Sequence, residues 1–212
     1  MHCLLISLFY ITVVFAENKE EELHNACYQG DLDKATSLVK AGANIESRDY
    51  QLGITPLHTA CFGSSVEVVK FLIDQGANLE SRTLILDTPL MMAATAGRND
   101  TVQELISKKA NINAQNIIGA TALINAAFTG HLDVVKTLVA NGAKTDIRIR
   151  YERDEMDARR AAEYAGYLET AEYLKSIGHP GIISETSHSC ESNHQYLTNI
   201  ILSIFFSHLV TV

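Results

Sequence analysis

With 212 residues the chain has room for one extended domain and two tails, and 17 basic against 25 acidic residues leave it at a net charge of −8. No basic stripe is visible, which sets nucleic acid aside as a partner. A hydrophobic share of 47%, three prolines and no tryptophan exclude a disordered chain and suit a helical array.

Residues 1–16, MHCLLISLFYITVVFA, form an uncharged apolar run that ends with Val14 and Ala16 where a signal peptidase prefers small residues. The acidic run Glu17 to Glu22 follows at once. This pattern predicts a signal peptide and a secreted or otherwise extracytoplasmic protein, although no Lys or Arg precedes the apolar core. A buried or membrane helix is the alternative, and the run is short for a span of about 20 residues. Residues 17–180 then form the main domain, with Glu20, Glu21 and Glu22 suited to the positive end of its first helix.

Within that domain one segment recurs. TPLHTACFGSSVEVVKFLIDQGAN from Thr55 aligns with ELHNACYQGDLDKATSLVKAGAN from Glu22, TPLMMAATAGRNDTVQELISKKAN from Thr88 and TALINAAFTGHLDVVKTLVANGAK from Thr121. A fainter copy begins at Asp157. The turn column reads Gly30, Ser64, Gly97, Gly130, Gly166, and the closing column Gly42, Gly76, Lys109, Gly142, Gly178. Both step by 34, 33, 33 and 36 residues, which puts repeats near 22–54, 55–87, 88–120, 121–156 and 157–180.

One unit can be read physically. Thr55 caps a helix whose first turn tolerates Pro56, because the amide hydrogen there has no intrahelical use. Leu57, Ala60 and Cys61 share one face; Val66, Val69, Phe71, Leu72 and Ile73 give a second helix its apolar side. Gly76 ends it. A helix pair cannot bury both sides alone, so each unit must stack on the next.

A period near 33 headed by Thr-Pro-Leu-His is similar to the ankyrin repeat, and residues 20–178 resemble that family. The resemblance implies an all-α solenoid of stacked helix-turn-helix units with hairpin or loop fingers, and a monomeric, non-enzymatic module that binds a protein partner. It also implies two sites. The position two before the turn column, Tyr28, Phe62, Thr95, Phe128 and Tyr164, would face the concave surface as an aromatic stripe broken at Thr95. Core packing is the competing explanation. The loop tips hold Tyr50 and Leu52, then Leu84, Ile85 and Leu86, then Ile117 and Ile118, then Ile149 and Tyr151. As an exposed apolar row they suggest an interaction patch; packing of one finger on the next is the alternative. One residue is inserted before Thr55, and Leu86 replaces a turn glycine.

His24 with Cys27 and His58 with Cys61 have the composition of a zinc site. Adjacent helices about 8–10 Å apart would hold the donors too far from one ion, and Cys27 too far from Cys61 for a disulfide. No metal or other cofactor is therefore expected. In the resemblance His58 is the hydrogen-bonding histidine of Thr-Pro-Leu-His, Cys61 stands in place of a small Ala, and His131 in Gly-His-Leu is structural. Lys109 and Ser64 are expected to be strained where their columns otherwise hold Gly. Asn99-Asp-Thr101 is a glycosylation sequon, usable only on a eukaryotic secretory route.

Arg148 to Asp157, RIRYERDEMD, accounts for the long last period and is expected to be a solvated lid, with a recognition loop as the alternative. Arg159 and Arg160 replace the Leu-His pair, as suits a C-terminal cap. Residues 181–196 are a polar linker. Residues 197–212, LTNIILSIFFSHLVTV, are apolar: a lipid-anchor signal with Ser184 or Ser187 as attachment point, a short membrane anchor, or a docked helix. No phosphate-cradling loop, HExxH or serine elbow occurs. The alternatives to a protein-binding module are thus a membrane-tethered scaffold or a metal protein or enzyme using the His and Cys pairs.

Overall fold

A computed structural model describes residues 19–63, 65–151 and 154–177. The segment expected to be a signal peptide, Ser64, the expected linker and the apolar tail lie outside the described residues, as do the side chains of Tyr151 and Asp154. The helices are α1 (residues 19–29), α2 (Leu32–Lys40), α3 (Pro56–Phe62), α4 (Val66–Asp74), α5 (Pro89–Thr95), α6 (Asn99–Ser107), α7 (Ala122–Phe128), α8 (Leu132–Ala140), α9 (Ala158–Tyr164) and α10 (Leu168–Ser176). No helix among the described residues is long and apolar enough to cross a membrane.

Each repeat starts where its cap predicts. Thr55, Thr88, Thr121 and Asp157 stand at the N-caps of α3, α5, α7 and α9, with Pro56 and Pro89 opening the first turns. Thr88 and Thr121 accept from the amides of Met91 and Ile124, and Asp157 from that of Arg160. The second helices α2, α4, α6 and α8 each close with a 6→1 bond: Ala43 to Leu38, Ala77 to Leu72, Ala110 to Leu105 and Ala143 to Leu138, each 3.0 Å.

Two layers result. The inner helices pack in the order α3, α5, α7, α9, and the outer ones in the order α2, α4, α6, α8, α10. Small residues allow the inner layer its close approach, with Ala60, Cys61, Ala93, Ala94, Ala126, Ala127, Ala161 and Ala162 all buried. Leu57, Leu90 and Leu123 of the inner layer and Leu72, Leu105 and Leu138 of the outer layer are buried in the core between the packed helices. On α4 the buried set is Val68, Val69 and Leu72, while Val66, Phe71 and Ile73 are half-buried.

The two glycine columns serve different needs. Gly42, Gly76 and Gly142 have φ of 89°, 91° and 87°, yet an added Cβ would meet nothing within 4 Å. Only the backbone demands glycine there, and Lys109 adopts φ 68° in the same column at a cost of about 1 kcal/mol. In the turn column, Gly97 and Gly130 are left-handed and also covered: a Cβ would meet the His131 ring at 2.5 Å at the first and the Tyr167 ring at the second. There both φ and space exclude a side chain.

The segment expected to be a solvated lid is instead an antiparallel hairpin, β1 (Ile149–Tyr151) with β2 (Asp154–Met156), Ile149 facing Met156 in register. Ile149 and Met156 are both buried, so alternation along each short strand turns one face inward. Arg148 and Glu155 pair at 3.0 Å on the outside. Arg159 and Arg160, as substitutes for Leu and His, turn to the surface, where they bond Glu163 and the carbonyl of Glu155.

Candidate functional site

The fingers between repeats are built by repeating side-chain bonds. Asp49 Oδ1 accepts from the amides of Leu52 and Ile54, and Asn116 Oδ1 from those of Ile118 and Ala120, so each short side chain ties its own turn. Backbone bonds close the three loops, Asp49 to Ile54, Thr83 to Asp87 and Asn116 to Ala120. The first is one residue longer, and this is where the insertion before Thr55 is absorbed. Gly53, Leu86 and Gly119 share a column with φ of 66°, 64° and 83°. Leu86 holds a conformation that costs about 1–2 kcal/mol for a residue with a side chain.

Neighbouring fingers are joined. Leu84 N donates to Leu52 O at 2.8 Å and Ile117 N to Ile85 O at 3.0 Å. Arg48 donates to Gly53 O and to Arg82 O, and Arg82 in turn to Leu86 O and Gln115 O. A second ladder runs beneath: Glu20 accepts from Asn44 N, Glu46 from Asn78 N, Glu80 from Asn111 N and Asn113 from Lys144 N. Sequence reasoning missed both ladders. Their signal was present in Arg48 and Arg82 and in Glu46 and Glu80, each pair one repeat apart.

Upon this bonded frame the apolar tips stay in water. Tyr50 is 95% exposed, Leu84 66% and Ile117 64%, and Ile85, Leu86 and Ile118 are also exposed. The fingers thus pack on one another through their backbones and still present apolar side chains. Two residues assigned to the tips lie elsewhere: Leu52 is half-buried and Ile149 is 6% exposed, beside Gly119. Tyr151 lies on β1.

The stripe lies at the C-terminal ends of the inner helices. Tyr28 is exposed, and Phe62, Thr95, Phe128 and Tyr164 are half-buried, intermediate between core and open surface. Phe128 and Tyr164 stack with ring centroids 6.3 Å apart and planes 22° from parallel. Thr95 is a polar joint within the stripe. Its hydroxyl takes a bond from Asn125 Nδ2 at 3.2 Å and donates to Met91 O, while its carbonyl meets His131 Nε2 at 3.1 Å.

The His and Cys pairs are occupied by the fold. Cys27 and Cys61 are buried, and burial pushes the Cys27 thiol up to about 12 and the Cys61 thiol higher still. His58 is fully buried and uses both ring nitrogens, Nδ1 against Thr55 and Nε2 against Asp87 O. His24 bonds Thr59 and Ser47. The sequon is also part of the framework: Asn99 Oδ1 accepts from Thr137 at 2.7 Å and Thr101 is buried. A glycan at Asn99 would have to be added before the array closes.

The family model for ankyrin repeats (three copies) matches residues 23–116 and 83–150, more than half of the chain. No curated protein matches it. The repeated Thr caps, the two helix layers, the bonded fingers and this match agree, and the chain belongs to the ankyrin repeat family.

Proposed function

We propose that this chain is an exported, non-enzymatic protein that holds a protein partner along its finger tips and the adjoining concave stripe. Ankyrin repeats are in general protein–protein interaction modules. The observation that carries the reading here is the row of Tyr50, Leu84, Ile85, Ile117 and Ile118, apolar and exposed on fingers that are already tied together by main-chain and arginine bonds. A rigid frame that shows apolar side chains loses little entropy on docking, and a few such anchors contribute about 2 kcal/mol or more each. Tyr28, Phe62, Phe128 and Tyr164 extend the surface into the concavity. Export rests on residues 1–16 and is checked by the intact mass of the mature chain in each cell fraction: a soluble chain starting at Glu17 is expected, and an uncut cytosolic chain overturns it.

The docking surface is tested with a photo-crosslinking residue placed in cells at Ile117, at Phe128, or at Lys136 on the outer layer. Ile117 and Phe128 should capture the same protein and Lys136 should not; equal capture from all three rejects the surface. With that protein in hand, Leu84→Ser with Ile117→Ser should weaken binding by about a hundredfold or more. The urea midpoint of the double variant should stay where it was.

A further inference from the structure

A hydrogen-bond chain crosses the array from the first finger to the third. Ser47 Oγ meets His24 Nε2 at 3.4 Å, and His24 Nδ1 lies 3.0 Å from Thr59 Oγ1. Thr59 donates to Thr55 O at 3.3 Å, Thr55 Oγ1 is 2.8 Å from His58 Nδ1, and His58 Nε2 is 3.1 Å from Asp87 O. The Asp87 carboxylate then accepts from Asn116 Nδ2 at 2.8 Å. Helices α1 and α3 and three finger loops share this chain.

Its two histidines differ in what they allow. Thr55 N–H points at His58 Nδ1 at 3.3 Å and the Asp87 carbonyl can only accept, so the ring is neutral with its hydrogen on Nε2. A second proton would sit on Nδ1, facing an N–H. The Thr55 hydroxyl can turn to accept it, but the Thr55 amide then loses its partner and the capping box of α3 opens. His24 lies between two hydroxyls, and a hydroxyl accepts as readily as it donates.

The surroundings of His58 oppose a positive ring as well. Arg48 and His24 both repel it, the Asp87 carboxylate is turned to Asn116, and the backbone carbonyls of Asp87 and Ser81 favour it without outweighing burial. Helix α5, packed on α3, carries no titratable side chain, and Glu67, Lys70 and Asp74 of α4 are exposed. Burial, the largest effect, pushes His58 from 6.5 down to about 4.

We propose that His58 is an acid-sensitive latch for the second finger: a proton on Nδ1 uncaps α3 and releases the finger base at Asp87, the loop that carries Leu84, Ile85 and Leu86. Its effect on a partner rests on the finger row being the docking surface. The folded ring binds a proton less readily than a free histidine. The stability it contributes is therefore complete above pH 6.5 and falls toward pH 4, by up to roughly tenfold per pH unit. Asp87 acts the other way, because burial raises its carboxyl and the folded state favours its protonated form.

The test uses the full chain, followed by amide exchange and ring-nitrogen shifts from pH 7.5 to 4.5. The His58 ring should be the Nε2–H tautomer, and exchange at Thr55 and Asp87, corrected for its intrinsic pH dependence, should speed up about tenfold or more between pH 7 and 5. His24→Gln should keep that step and His58→Gln should lose it. A step that survives His58→Gln overturns the latch. Should that variant not fold, the ring titration of the unsubstituted chain decides, and an ordinary value near 6.5 overturns it. Cross-linking from Ile117 separates the two readings: it should fall as the latch opens, and an open latch with unchanged cross-linking rejects the finger row as docking surface while the latch stands.

Discussion

The helix stack and the finger row treat apolar side chains in opposite ways. In the stack, Leu72, Leu105 and Leu138 have no exposure, and burial between layers is what holds the repeats. In the fingers, Tyr50, Leu84, Ile117 and Ile118 stand in water, and hydrogen bonds do the holding: Leu84 N to Leu52 O, Ile117 N to Ile85 O, Arg82 to two carbonyls. The same residue types stabilise one region and are nearly idle in the other. Apolar side chains that contribute little to the fold are free to serve contact with another molecule.

Substitutions can break this comparison. Leu105→Ala should have the largest effect, lowering the unfolding free energy by about 2–5 kcal/mol, because α6 meets α4, α5 and α8 and the cavity cannot collapse from one side. A loss near that found for Leu84→Ser in the fingers would erase the distinction between stack and fingers. Next is the contrast between glycine columns. Gly130→Ala meets both a positive φ and the Tyr167 ring and should cost about 2–3 kcal/mol, whereas Gly142→Ala, in open space, should cost about 1. Equal urea midpoints for the two would show that φ alone governs both columns. The smallest effects have the opposite sign. Lys109→Gly and Leu86→Gly should each stabilise by up to about 1 kcal/mol. Lys109→Gly should leave partner capture unchanged. Leu86→Gly should weaken it, since Leu86 is exposed beside Leu84 and Ile85.

Much of the fold is legible in the columns. The Thr-Pro heads, the small residues four and five positions after the proline, and the glycines at fixed steps each encode a local requirement, and local requirements survive translation along the chain. Lys109 could be read as strained because its column named the backbone conformation in advance. Leu86 could be read as a missing glycine for the same reason. The hairpin of Ile149–Met156 was not legible as one, because RIRYERDEMD is mostly charged and, among the residues whose side chains are described, only Ile149 and Met156 are buried. Its alternation is too short to separate from a solvated loop.

The candidate surface divides in the same manner. That the tips are apolar is a fact of sequence. Which of them reach water was decided by the turn each finger makes: Leu52 and Ile149 fold inward while Tyr50 and Ile117 do not. The chain by itself determined the period, the caps, the small-residue faces and the positions that must be left-handed, all of which depend on residues within one turn of each other. Only the stacked structure decided that Arg48 and Arg82 tie neighbouring fingers, that Thr95 joins Asn125 and His131, and that His24 and His58 belong to one hydrogen-bond chain. Apart from the Thr59–Thr55 and Thr55–His58 bonds within the head of α3, those contacts join residues about one repeat apart, and their partners are chosen by the spacing between stacked helices rather than by anything written locally in either segment.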